Sequence, residues 1–138
     1  MIDVEHELTL HVSAGLGDAR LPLLGRAVAG ASSRAGLSVD RIDDAILILE
    51  ALLADPETAA ADEVQLVLSA SPGSLTLSMG PFAVNEAERL LARAALPIVG
   101  PVIERLATSA TTLGGGSRLL IAVDARSQNR HSVRDPGR

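Results

Sequence analysis

Apolar and polar positions along the chain switch between a period of two and a period near 3.6, and the switches mark the elements. Glu7 to Val12 alternates Leu8, Leu10 and Val12 against Glu7, Thr9 and His11, which predicts a half-buried strand with His11 on its polar side. Ser13 to Asp18 reads as a glycine-containing loop. From Ala19 to Ala35 the pattern is helical, with Leu23, Leu24, Ala27, Val28, Ala31 and Ala35 on one side. Gly25, Ala29 and Gly30 lower helix propensity there but permit close packing. Gly36 suits the position just past the helix, with Leu37 as the hydrophobic contact beyond it.

The stretch Ser38 to Asp55 is the one the rest is organised around. Ser38 is a capping residue, and Asp40 and Asp43 place negative charge near the helix N-terminus. Ile42, Ala45, Ile46, Leu49, Leu52 and Leu53 form a broad apolar face that Leu47 and Ile48 widen further, so the helix is expected to be buried on most sides. Pro56 stops it. One acidic residue, Glu50, sits in its second half.

Pro56 to Asp62 is expected to be a short linker, and Glu63 to Ala70 a strand in which Val64, Leu66 and Leu68 alternate with mostly polar partners. Ser71-Pro72-Gly73-Ser74 is a tight turn, and Leu75 to Met79 returns to complete a hairpin. Helices are expected over Val84 to Leu96 and Ile98 to Leu106, the second entered through Gly100-Pro101. Thr108 to Leu113 is β-prone, Gly114-Gly115-Gly116 a flexible turn, and Arg118 to Val123 a closing buried strand.

This order predicts an α+β fold: a two-layer α/β sandwich with a mixed, mostly antiparallel sheet and helices on one face. The expected core comprises Ile42, Ile46, Leu49 and Leu53 of the central helix. Leu8, Leu10, Leu66, Leu68, Leu75, Leu77, Leu120 and Val123 complete it from the strands. One domain spans residues 1–124. Residues 125–138 change character, carrying four arginines against one aspartate, so that of the net charge of −5 the rest of the chain bears −8. A disordered basic tail is expected there.

Composition narrows the function. Phe82 is the only aromatic residue, so no platform exists for stacking bases, and the net charge of −5 argues further against nucleic acid. With no cysteine, disulfides and thiolate metal sites are excluded. His6, His11 and His131 show no ligand spacing. The apolar runs fall far below the roughly 18 residues of a membrane span. The acidic MIDVEHE start lacks the basic region of a signal peptide, so a cytoplasmic location is expected.

Several local patterns, over about Glu7 to Val123, resemble the GHKL ATPase domain of bacterial anti-sigma factors and related serine kinases, a type shared with histidine kinases and Hsp90. The family's second long helix carries E-A-x-x-N, in which the glutamate activates water or a hydroxyl and the asparagine holds Mg²⁺. Here Glu50 and Ala51 match, but Ala54 stands at the asparagine position, and Asp55 lies about 100° further round a helix. After the hairpin the family has D-x-G-x-G-F, whose aspartate receives the adenine amino group. This chain reads Ser78-Met79-Gly80-Pro81-Phe82, keeping one glycine. Leu96-Pro97-Ile98-Val99 resembles the helix start after the family's phosphate-binding lid. Arg93 and Ala95 occupy the places of the lid glycines, where side chains obstruct a phosphate's approach to backbone. Gly115-Gly116-Ser117-Arg118-Leu119 resembles the G-G-T-x-V turn before the last strand.

The resemblance therefore implies the fold without its nucleotide chemistry. Glu50 is expected to be vestigial, and Ala54, Ser78, Gly80 and Arg93 to mark a vestigial pocket with no cofactor and no metal. The function implied is that of an anti-sigma-like regulator that binds a protein, a sigma factor or an anti-anti-sigma factor. The related kinases also pair through the sheet edge near the first strand, so a homodimer is implied as well. Two alternatives stand beside this reading: an ATP-binding anti-sigma serine/threonine kinase or nucleotide sensor with a rearranged pocket, and a purely structural domain.

Overall fold

A computed structural model describes residues 6–12, 14–55, 58, 64–83, 85–94 and 100–125. Strand β1 (His6–Val12) is followed by 3-10 turns (Ala14–Ala19) and two helices, α1 (Arg20–Arg34) and α2 (Val39–Ala54). A hairpin, β2 (Val64–Ser71) and β3 (Ser74–Gly80), leads to α3 (Glu86–Arg93), α4 (Val102–Leu106), β4 (Ser109–Leu113) and β5 (Arg118–Asp124). The five strands form one sheet in the order β1-β2-β3-β5-β4, antiparallel at every pairing. The fold is the expected α+β two-layer sandwich, with a wholly antiparallel sheet in place of the expected mixed, mostly antiparallel one.

Local chemistry explains the helix boundaries. At the end of α1 the Leu37 N–H reaches the Ser32 carbonyl and the Gly36 N–H the Ser33 carbonyl, with Gly36 at φ 80°. This is the pair of hydrogen bonds that a left-handed glycine permits, and Leu37 is buried beyond it as expected. Ser38 then caps α2, its Oγ accepting from the Arg41 N–H at 3.2 Å. The other end of α2 stops at Ala54, because Asp55 precedes a proline and is extended (φ −68°, ψ 134°).

The register sorts the sheet into two faces. Leu66, Leu68 and Ala70 pair with Met79, Leu77 and Leu75, which in turn pair with Leu119, Ile121 and Val123. All of these are buried, against a helix layer whose centre is Ala45, Ile48, Leu49 and Leu52. In that layer α1 lies over β1, β2 and β3, α2 meets β5 and α4, and α3 covers β4 and β5. Arg41, only 4% exposed, ties the layers together. Its guanidinium donates to the carbonyls of Asp124 (2.8 Å) and Leu106 (2.9 Å), to Thr108 Oγ1 (3.2 Å) and to the Asp44 carboxylate (2.8 Å).

Five expectations about the core need correction, one of them Leu10, which is only partly buried on the edge strand. Leu120 is half-buried on the helix-free face, since the pairing of Leu77 with Ile121 turns Leu119, Ile121 and Val123 inward instead. Leu8 shares a face with Leu68 but is 47% exposed, because the helix layer does not close over the end of the edge strand. Ile42 and Ile46 are only partly buried at the margin of α2, where Ala45, Ile48 and Leu52 hold the centre. The fragments expected at the ends of α3 and α4, residues 84 and 95–99, lie outside the described residues, as does the tail apart from Ala125. The N–H of Ala125 donates to the Gly73 carbonyl at 2.8 Å. Of the expected linker, Thr58 is described and is buried, its carbonyl accepting from Arg20 Nη1 at 3.1 Å. Among the described residues no helix is long and apolar enough to cross a membrane.

Candidate functional site

Residues four apart on a helix share a face, and Glu50 and Ala54 do so here. Both line a shallow pocket of about 460 Å³ between the end of α2 and the start of α1, with Asp18, Arg20, Leu21 and Leu53 around them. Glu50 is half-buried, and it makes no hydrogen bond or ion pair among the described residues. Ala54 is exposed and offers only a methyl group at the position where the resemblance would have a metal-ligating oxygen.

The polar chemistry at this end of α2 belongs to Asp55. With φ still helical at −68° and only ψ extended, Asp55 keeps the rotation that carries its side chain about 100° round from Ala54, and it is not among the residues lining the pocket of Glu50 and Ala54. Its carboxylate, 4% exposed, accepts both arms of Arg93 from α3: Nε to Oδ1 at 2.5 Å and Nη2 to Oδ2 at 2.9 Å. The Nη2 also donates to Glu86 Oε2 at 2.6 Å. This is a bidentate fork with a third, charge-assisted bond. The hydrogen bonds it donates to Asp55, and after them the one to Glu86, hold the Arg93 guanidinium above its usual pKa, so it stays charged at any ordinary pH.

The network fastens α3 to the end of α2. Glu86 lies in the first turn of α3, where its charge also suits the helix dipole. The glycine turn holds the same helix start: the Ala87 N–H donates to the Gly116 carbonyl at 3.0 Å. A Cβ at Gly116, whose φ is +86°, would lie 2.9 Å from the Asn85 nitrogen, so a bare backbone is required there. Removing the guanidinium by Arg93→Ala takes the fork away from a buried carboxylate. The expected loss is about 1–3 kcal/mol, below the 3–5 of a fully buried pair because Arg93 keeps part of its surface in water. Urea denaturation measures it.

Ser78 and Gly80 are elsewhere. Ser78 alternates with the buried Leu77 and Met79 and so lies on the helix-free face, where its Oγ accepts from Arg118 Nε (3.3 Å) and Nη2 (3.1 Å). Gly80 sits at the end of β3 under the glycine turn, and a Cβ there would meet Arg118 Cγ and the Ser117 carbonyl at 2.7 Å. The marked residues thus form three groups: Glu50 with Ala54, Arg93 with Asp55 and Glu86, and Ser78 and Gly80 with Arg118. Restoring an asparagine at 54 and an aspartate at 78 cannot rebuild one pocket, because the sheet lies between them. Among the described residues no group of three or more His, Asp or Glu is placed to hold a metal ion.

Asp55 and Glu86 carry no motif, and nothing in the local spacing pairs Asp55 with an arginine 38 residues later. No known family model matches the chain, and no curated protein matches it.

Proposed function

We propose that this chain is a degenerate GHKL-like domain of the bacterial anti-sigma type, a regulator that acts by binding another protein and no longer handles nucleotide. A sigma factor or an anti-anti-sigma factor is the partner class that this reading favours. The element order and the Glu50-Ala51 pair support the fold half of the proposal.

One observation carries the functional half. Arg93 is the cation nearest in sequence to the lid position and the group best suited to hold a phosphate, and Asp55 and Glu86 already occupy its donors. A phosphate would have to displace a bidentate carboxylate to reach it, with no oxygen at Ala54 to anchor Mg²⁺. Protein binding then remains as the activity for which this family's scaffold is used.

Thermal denaturation tests the proposal. A ligand at about ten times its dissociation constant stabilises a fold by about 1.4 kcal/mol. Millimolar Mg·ATP is therefore expected to leave the melting temperature unchanged, and a rise of several degrees would overturn the reading.

A further inference from the structure

We propose that the groove between α1 and the free edge of β1 binds an extended acidic segment of a partner protein, with the pattern acidic–x–apolar–x–acidic. The inference rests on the protein-binding reading and adds the chemistry of the partner.

The groove, about 510 Å³, has Leu8 and Leu68 as its floor and Ala27, Gly30 and Ala31 along one wall. Arg26 and Arg34 stand at its two ends. Both are exposed, and neither makes a hydrogen bond or ion pair among the described residues. Every other described arginine is engaged, so among the described arginines the two uncommitted ones face one groove. The carboxylate at the rim, Glu7, pairs with neither arginine; it accepts from Ser69 Oγ at 3.3 Å. A carboxylate from outside is the complementary group.

The edge dictates the form of the occupant. Among the described residues β1 is the terminal strand and pairs only with β2, which leaves its outer N–H and C=O groups for an added strand. Alternate residues of that strand would lie beside Leu8 and under the small residues of α1. Eight helical residues separate Arg26 from Arg34, about 12 Å along the axis. A strand covers that length in about four residues at roughly 3.3 Å each. Four is even, so two acidic residues at that spacing share the face of the apolar residue between them. Gly30 fits the same picture: a Cβ there meets nothing within 4 Å, so nothing described in the free chain demands a glycine in mid-helix.

A second copy of this chain suits the groove less well. Antiparallel pairing of β1 with itself about Thr9 would set two grooves side by side, gathering four arginines against only the two rim carboxylates of Glu7.

The test is fluorescence anisotropy of a labelled peptide, Thr-Thr-Glu-Thr-Leu-Thr-Glu-Thr-Thr, against the full chain. A control peptide carries lysine in place of both glutamates. Saturable binding of the acidic peptide is expected. The double variant Arg26→Glu, Arg34→Glu is expected to weaken it by about tenfold or more and to prefer the lysine peptide, with an unchanged melting temperature. Gly30→Leu, which fills the groove without changing charge, is expected to weaken both peptides. Overturning results are no saturable binding, equal affinity of native and charge-reversed chains for the acidic peptide, or a native dimer in sedimentation that excludes the peptide. None of these bears on nucleotide, and Mg·ATP has no part in the assay, so failure here and failure of the nucleotide reading are separable.

Discussion

Replacing Arg41 by Met is expected to lower the stability of the fold by about 3–5 kcal/mol, the range found when one partner of a buried charge network is removed. The reason lies in how much one guanidinium connects. It stands in the first turn of α2 yet satisfies the Leu106 carbonyl at the end of α4, the Asp124 carbonyl at the end of β5 and Thr108 Oγ1. Thr108 Oγ1 in turn accepts from the Asp124 N–H at 2.8 Å. Met fills a similar volume but donates nothing, so two carbonyls, a hydroxyl and the Asp44 carboxylate lose a donor together. Each unmet buried group costs about 1–3 kcal/mol. Lys restores charge but not the planar fork, and it is expected to recover less than half. Urea denaturation reads the effect as a lowered midpoint at constant slope. A loss below about 1 kcal/mol would show that water replaces the guanidinium freely.

Leu49→Ala is the other large effect, about 2–5 kcal/mol. Leu49 is fully buried where α2 crosses the sheet, and the surrounding Leu and Ile side chains are themselves fully buried, leaving little freedom to collapse into the space. Leu8→Ala supplies the internal comparison: at 47% exposure it is expected to cost well under half as much. Equal losses at the two positions would contradict the layer arrangement.

The parts of the fold legible from sequence are those set by local rules. Capping by Ser38, the left-handed Gly36, the Pro-Gly turn and the alternation of β2 and β3 each depend on neighbours along the chain. What alternation cannot tell is coverage. It assigns Leu8 to the same face as Leu68, but whether a helix reaches that far depends on where α1 crosses the strands. The run Arg118 to Val123 has apolar residues on both faces, so only its pairing with β3 decides between Leu119 and Leu120.

The candidate site was less legible. Ala54 and Glu50 share a face because both are helical, and sequence spacing suffices for that. Asp55 is the instructive case: helical geometry rightly turns it away from Ala54 but cannot say what it meets there. One residue before Pro56 the backbone turns extended, and the carboxylate meets an arginine 38 residues later. The sites on Ser78 and Gly80 went to the other side of the sheet for an equally local reason: Met79, not Ser78, shares the inward phase of Leu75 and Leu77.

The most direct measurement is a calorimetric titration of ATP and Mg²⁺ into the full-length chain. Ala54 offers no oxygen to anchor a metal, and Ser78 faces the other side of the sheet, so neither a metal anchor nor an adenine acceptor from these positions serves the Glu50 pocket. At about 1.4 kcal/mol per tenfold, that lack costs about a few powers of ten in affinity. With Arg93 held by Asp55 and Glu86, no phosphate contact offsets that loss. The predicted result is no saturable heat up to millimolar ATP; a dissociation constant below about 100 µM would contradict the account.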